Sequence, residues 1–431
     1  MRIDLQYGKT GLPLELPDDW QVTVYRKQAM PLLANPVDDL QRAFRDPIGG
    51  EPLAVAAAGA KTACILICDV TRPVPNGTLL PSLLRTLLAS GMIASNITVL
   101  VATGLHRPNE GDELREVVGD DWTMATVRVE NHFARNDEDH VLLGVTRRGV
   151  PVKLDRRFVE ADLRIVIGLV EPHFMAGYSG GRKLITPGIA HTDTITTFHS
   201  AVFLEHPDAT NCRLCNNPLH ETQMEIASML GPVYAVNTVL DEARNIAYLS
   251  YGELQASHLA AIDFLTPYAT FPITQTFPIV ITTGAGYPLD KTFYQTVKGI
   301  VSACDLLEPG GTMFVASECS EGFGSREFAR AQGELKKFGA EAFLDMIRSQ
   351  MRARIDEWQT EMLIKALRRG TIYLYSSGLT PVEELLTGVH CIPFMDEAIR
   401  KRVIKTGDSR IAVIPEGPYL IPLPINENEH S

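Results

Sequence analysis

Residues 64–104 read CILICDVTRPVPNGTLLPSLLRTLLASGMIASNITVLVATG, and this stretch decides the fold. CILICDV (64–70) is a short apolar run of strand length. In LLPSLLRTLLASGM (79–92) the leucines recur at helical spacing, and the run ends near Gly91. NITVLVATG (96–104) repeats the pattern of a buried strand. Strand, helix, strand in that order predicts a parallel sheet covered by helices.

The same alternation extends outward. ATVRVE (125–130), VLLGVT (141–146) and RIVIGLV (164–170) read as further strands. The pattern restarts at FPIVITTGA (277–285), with a helical segment near 292–307, GTMFVAS (311–317), a charged helical stretch over 326–367, and the strands TIYLYSS (371–377) and HCIPF (390–394). The fold class is therefore α/β, with two α/β domains of mostly parallel sheets covered by helices and an active site expected in the cleft between them. Prolines and threonines in FLTPYATFPITQTFP set the boundary near 265–277. The expected domains are 1–270 and 275–404. The terminal SRIAVIPEGPYLIPL can supply a strand to either, and the tail 405–431 is a candidate to return to the first.

The chain has 431 residues, enough for two or three domains with their own cores. Its 45% hydrophobic and 21% charged residues are those of an ordinary globular protein. A net charge of −12 leaves no basic surplus to neutralise phosphates, which argues against a nucleic-acid partner. No apolar run approaches the ~20 residues of a membrane span. No charged leader followed by an apolar block is read at the start, and seven scattered cysteines fit reduced thiols, so a cytoplasmic location is expected. Cys212 and Cys215 form a lone C-x-x-C without a second ligand pair and read as loop cysteines.

Three chemical groups follow predicted strands, where open α/β sheets usually bind ligands. In Asp69-Val70-Thr71-Arg72-Pro73, the proline biases Arg72 toward an extended backbone, and its guanidinium fork suits a carboxylate or phosphate; an ion pair with Asp69 is the plainer reading. In Thr103-Gly104-Leu105-His106, the histidine is placed as an acid/base or as an ordinary loop residue. The third group is EPHFMAGYSGGRK (171–183). Gly177, Ser179, Gly180 and Gly181 can form a backbone nest for an anion. The phosphate-loop signature fails, because Arg182 precedes Lys183 and Leu184 stands where magnesium needs Ser or Thr, so an ATPase is rejected. His199, on a helix starting near Thr192 to Asp193, is a metal ligand or a core residue. In the second domain, Lys291, Gln295 and Lys298 share a face if the helix starts at Lys291, beside Tyr287 and Tyr294. Trp358 covers a pocket or fills the core.

Five of these segments, YGKTGLPLELPDD, DVTRPVP, ATGLHRP, EPHFMAGYSGGRK and FYQTVKG, occur in the order found in the nickel-pincer lactate racemase family, and the chain resembles that family over nearly its whole length. The resemblance implies a racemase or epimerase inverting C2 of a 2-hydroxy acid such as lactate or malate, by reversible hydride transfer through a 2-keto acid. It implies a nickel-pincer nucleotide attached to Lys183, with nickel bound by His199, and with Asp69, Thr71, Ser179, Gly180 and Gly181 beside the cofactor. His106 and His173 match the acid/base pair. Arg72, Tyr294, Gln295, Lys298 and Trp358 match substrate-binding positions. Cofactor-building enzymes are implied partners, and the oligomeric state stays open. Arg107, Arg182, Arg213 and Lys291 are conceivable partners for a second substrate carboxylate. The NCRLCNNPLH segment (211–220) departs from the family pattern. The alternatives are a nicotinamide-dependent dehydrogenase, for which no G-x-G-x-x-G turn is found, and a non-catalytic nucleotide- or metal-binding protein.

Overall fold

The computed structural model describes residues 1–424; the last seven residues of the tail lie outside the described residues. The chain divides into two compact units. The first comprises Ala29–Phe198 and Pro207–Thr266, and the second comprises Met1–Gln28, His199–His206 and Pro267 onward.

The first unit is built on a six-stranded sheet in the order Ile246–Glu253, Tyr234–Leu240, Leu163–Leu169, Ala63–Cys68, Ile97–Ala102, Arg128–Asn131. All neighbours are parallel except the Ile246–Glu253 edge, which runs antiparallel to Tyr234–Leu240. Every residue of Ala63–Cys68 is buried. Ile65 and Ile67 face the leucines of helix Asn76–Ala89, while Cys64, Leu66 and Cys68 face a second cluster containing Phe158, Ile185 and Ile226. A strand covered on both faces reads as a continuous apolar run, which is why CILIC shows no alternation.

Two predicted strands differ. Residues 125–126 close a short helix, Asp121–Thr126, and the strand starts at Arg128. VLLGVT forms His140–Val145, which pairs only with Pro151–Asp155 in a separate hairpin.

The second unit carries an all-parallel sheet in the order His390–Cys391, Gly370–Tyr375, Leu307–Ala316, Phe277–Thr283, Arg410–Val413, Gln21–Val24. This revises the expected boundaries at both termini. Residues 1–28 do not belong with 29–270, because Gln21–Val24 pairs with Arg410–Val413. The tail stays with the second unit, since Arg410–Val413 pairs with Phe277–Thr283 and Ile421–Pro424 with Thr270–Ile273. The charged helical stretch is three helices, Arg326–Phe338, Ala340–Arg348 and Glu357–Arg369, the first break falling at Gly339 with φ +80°. Among the described residues no helix is long and apolar enough to cross a membrane.

Three histidines of the first unit, His132 and His258 buried and His220 partly covered, are held below the ordinary imidazole range. Burial dominates at His132, helped by His140 and Arg157, and at His258, helped by Arg182. Burial and Arg182 also push His220 down to about 3. In the unfolded chain each protonates near pH ~6.5, so below that pH the unfolded state binds more protons and stability rises with pH. The thermal midpoint at fixed ionic strength is therefore expected to be level above pH ~7 and to drop progressively below ~6.5, with a shallower drop in His220→Gln. A midpoint unchanged between neutral pH and pH ~5 would contradict this account.

Candidate active site

Three neighbouring parallel strands end at the same edge of the first sheet. Ala63–Cys68 runs into Asp69, Ile97–Ala102 into the 103–106 turn, and Leu163–Leu169 into Glu171 and His173. Asp69 is buried, with Oδ2 2.6 Å from His106 Nδ1. Its Oδ1 accepts from Thr71 Oγ1 at 2.6 Å and Thr71 N at 3.2 Å. Burial acts to raise the Asp69 pKa, but the hydrogen bonds from His106 and Thr71 and the His106 charge outweigh it, leaving the carboxyl below its usual range. An ionised carboxylate on Nδ1 fixes that nitrogen as the N–H, so Nε2 carries the basic lone pair. The His106 side chain is 60% exposed, as proton exchange with a ligand requires.

Arg72 does not pair with Asp69. Its Nη1 donates to Glu171 Oε2 at 2.7 Å, both side chains being about three-quarters covered (27% and 24% exposed). Glu171 was not singled out in the sequence, although it opens the EPHF motif, because nothing in a linear pattern relates it to a residue 99 positions earlier.

Pro172–His173 and Gly177–Tyr178 form a two-pair antiparallel ladder around a tight turn. His173 Nδ1 accepts from Met175 N at 3.3 Å and Ala176 N at 3.2 Å, and Nε2 lies 3.1 Å from Lys183 Nζ. The glycines answer to packing. Gly177 has φ +77°, and a Cβ there would fall 2.3 Å from Arg213 O, in the loop that contains Cys212 and Cys215. Gly180, also at φ +77°, lies against Leu169 and Val170 at the strand end. That loop braces the turn: Cys212 N donates to Gly177 O at 3.0 Å and Asn217 Nδ2 to Met175 O at 2.9 Å. Cys212 and Cys215 are free thiols.

Ser179 is fully buried and serves the backbone, its Oγ donating to Leu169 O at 2.7 Å and accepting from Glu171 N at 2.9 Å. Gly181 opens a single 3-10 turn, Gly181–Leu184, and packs against the His258 ring. Arg182 is wholly buried, donating to Ala176 O at 2.7 Å with Nη1 3.2 Å from His258 Nε2. His258 Nε2 in turn lies 2.7 Å from Ser179 O. Burial lowers the Arg182 pKa to about 9. His258 went unnoticed in the sequence, where it sits in an undistinguished helix.

In the second unit, helix Phe293–Ser302 is capped by Thr292, so Lys291 precedes it and does not share its face with Gln295 and Lys298. Lys291 is instead ion-paired with Glu321 and lies 5.8 Å from the Tyr287 ring centroid. Tyr294 OH accepts from Trp358 Nε1 at 3.2 Å, and Gln359 Nε2 donates to Tyr294 O at 2.6 Å. Burial, then the nearby Asp356 charge, keep the Tyr294 phenol well above its ordinary pKa. Gln295 Oε1 is buried with no hydrogen-bond partner among the described residues. His199 lies just past the helix Thr192–Phe198 rather than on it, and its ring stacks on Trp358 at 4.9 Å with a 39° tilt. The segment that His199 opens is tied down by Lys365 donating to Leu204 O at 2.5 Å and Arg348 to Glu205 at 2.6 Å.

The other basic residues considered for a second carboxylate are engaged or buried. Arg107 forms a bidentate pair with Glu113 at 2.5 and 2.6 Å, Arg213 lies 3.6 Å from Asp208, and Arg182 is in the core.

A carboxylate-bound imidazole and an imidazole-bound lysine at the carboxyl ends of parallel strands define an α/β protein equipped for proton transfer. A family model described as the lactate racemase N-terminal domain matches residues 7–211, and one described as the lactate racemase C-terminal domain matches 274–421. The chain is 33% identical to the lactate racemase of Thermoanaerobacterium thermosaccharolyticum, over 97% of this chain and 98% of the relative. It is 31% identical to that of Lactiplantibacillus plantarum, over 96% and 98%. The solved apoprotein of the Thermoanaerobacterium enzyme superposes with a TM-score of 0.91 at 30% identity, covering 98% of this chain and all of that one. A Thermotoga maritima structure at 18% identity and a TM-score of 0.68 shares the fold. The chain belongs to the lactate racemase family and is an isomerase. That class displaces the dehydrogenase and storage-protein alternatives.

Asp69→Asn removes the charge that fixes the His106 tautomer. It is expected to lower kcat for enantiomer interconversion by about 100- to 10,000-fold with little change in KM. Combined with His106→Ala it should cost little more than either change alone, because the two act as a unit. Steady-state kinetics of the two single variants and the double variant check this, and additive losses would contradict it.

Proposed function

We propose that this isomerase inverts the C2 configuration of a 2-hydroxy acid, lactate or a related acid such as malate, through a 2-keto acid, with a nickel-pincer nucleotide attached to Lys183. The observation that carries the reading is the pairing of two differently prepared histidines, His106 on Asp69 and His173 beside Lys183, in a chain whose relatives are named lactate racemases.

The donor set fits such a group. Lys183 is half-buried with its amine against an imidazole, and His199 offers one imidazole held by Trp358. Among the described residues no group of three or more His, Cys, Asp or Glu side chains can hold a metal ion. A metal bound by His199 would therefore draw its remaining ligands from an organic group, and sulfur donors completed by imidazole suit nickel. When bound, the nucleotide supplies an electron-poor ring able to accept and return a hydride.

The chain's own residues supply the rest. The α-hydrogen of an ionised 2-hydroxy acid is too weakly acidic for direct removal by histidine, so the proton that His106 or His173 moves is that of the hydroxyl. With one histidine for each enantiomer, either configuration meets a base. Arg72 holds the substrate carboxylate, with Glu171 keeping one edge of its fork fixed. Within the second unit, Tyr294, Gln295, Lys298 and Trp358 keep the substrate-binding roles that the family resemblance implies, Gln295 Oε1 being buried with no hydrogen-bond partner among the described residues and Trp358 donating to Tyr294 OH. Asp69 and Thr71 orient His106, whereas Ser179, Gly180 and Gly181 shape the loop that presents Lys183.

Protein made alongside cofactor-building enzymes, given single enantiomers of a panel of 2-hydroxy acids, is expected to yield the opposite enantiomer of lactate or a close analogue by chiral chromatography. Conducted in D2O, the reaction should leave C2 free of deuterium, because the hydrogen returns as hydride. Solvent deuterium at C2 would overturn the hydride route. An intact mass without an adduct on Lys183, together with no bound nickel, would overturn the cofactor assignment.

A further inference from the structure

We infer that Glu171 is a positioning residue that also tempers affinity at the substrate end: its hydrogen bond holds the Arg72 fork in place, and its charge weakens the hold of Arg72 on a carboxylate. The role rests on the reading that Arg72 receives the substrate carboxylate. The two partners leave neighbouring parallel strands, Arg72 in the turn after Ala63–Cys68 and Glu171 just past Leu163–Leu169. Both backbones are fixed. Glu171 N donates to Ser179 Oγ at 2.9 Å, and its carbonyl accepts from Ser179 N at 2.8 Å. Arg72 N donates to Asp69 O at 3.2 Å, and its carbonyl accepts from Val74 N at 2.8 Å. From these anchors the side chains meet at 2.7 Å, the length of a charge-assisted hydrogen bond. Asp69, the other carboxylate of this edge, is committed to His106 and Thr71, so the counter-ion of Arg72 is Glu171.

A guanidinium is a planar fork with five N–H donors. Glu171 engages Nη1, and a second carboxylate can meet another edge of the fork without displacing it. Two effects on that carboxylate oppose each other. Arg72 is a long side chain, and ordering it at the moment of binding would cost affinity; Glu171 has ordered it beforehand. Against this, an incoming carboxylate shares the guanidinium with a charge of its own sign, in a pair about three-quarters covered, where charges a few ångströms apart are weakly screened. The hydrogen bond therefore strengthens binding and the charge weakens it.

That combination suits a racemase, because substrate and product carry the same carboxylate. Holding a group that both share more tightly lowers KM without raising kcat, whereas a fork held at one angle fixes the direction from which C2 is presented. A pair that only tied two strand ends together would alter the thermal midpoint and leave KM alone.

The test uses holoenzyme made alongside cofactor-building enzymes, with L-lactate as the probe. Glu171→Gln keeps an acceptor oxygen at the same reach and removes the charge, whereas Glu171→Ala removes both. Comparing wild type with Glu171→Gln reads the charge, and comparing the two variants reads the hydrogen bond. Glu171→Gln is expected to lower the lactate KM by about 3- to 10-fold without raising kcat. Glu171→Ala is expected to show a KM about 10-fold above that of Glu171→Gln, with a lower kcat. Arg72→Ala tests the underlying reading by itself and should raise KM. If it does so while Glu171→Gln leaves KM unchanged or raises it, the role of Glu171 is overturned and that reading stands. If Arg72→Ala leaves KM unchanged, both are overturned. A Glu171→Ala variant that matches Glu171→Gln in KM and kcat would overturn the positioning role.

Discussion

A parallel strand buried on both faces has no room for a functional side chain, and this constraint organises the first unit. Every residue of Ala63–Cys68 is covered, as are the first five of Ile97–Ala102. Polar groups along those strands would lose hydration without partners, at a cost of roughly 1–3 kcal/mol each. Chemistry is therefore pushed to the strand ends. Because the neighbours run parallel, their carboxyl ends coincide in space, which brings Asp69, His106 and the Glu171–His173 segment to one edge from positions up to about 100 residues apart in the chain.

What the sequence could disclose follows from the range of the interactions concerned. The apolar runs and the leucine spacing of 79–92 are local patterns, and the central strands and helix appear within a few residues of their expected limits. The Asp69–His106 pair was not read from the sequence, which set Asp69 against Arg72, although both residues lie in turns that follow strands. The partner of Arg72 was not, since the choice between Asp69 and Glu171 depends on how two strands pair. The same applies to Gln21–Val24, whose four residues carry little periodic signal yet close the edge of the second sheet by pairing with Arg410–Val413. Lys291 was misread because the Thr292 cap starts its helix two residues later than the amphipathic spacing alone suggested.

Ser179 and Arg182 show how a polar motif can be structural in its details. Both lie in the run that resembles an anion-binding loop, yet the serine hydroxyl is spent on Leu169 O and Glu171 N, and the arginine is sealed in the core against Ala176 O and His258. These contacts stiffen the turn that carries His173 and Lys183. A side chain whose position must be held to a few tenths of an ångström needs such support, because an unsupported loop would spread the two nitrogens over many separations. The Cys212 loop adds to it from the other side of Gly177, which makes the segment least expected from the family pattern a brace rather than an insertion without consequence.

The two histidines are prepared in opposite senses by equally simple means. A carboxylate lies on His106 Nδ1, whereas two backbone N–H groups point at His173 Nδ1. The racemase reading proposed above asks for one group to take a proton and another to give one. Both rings are held through Nδ1, and they differ in the kind of group that touches that nitrogen.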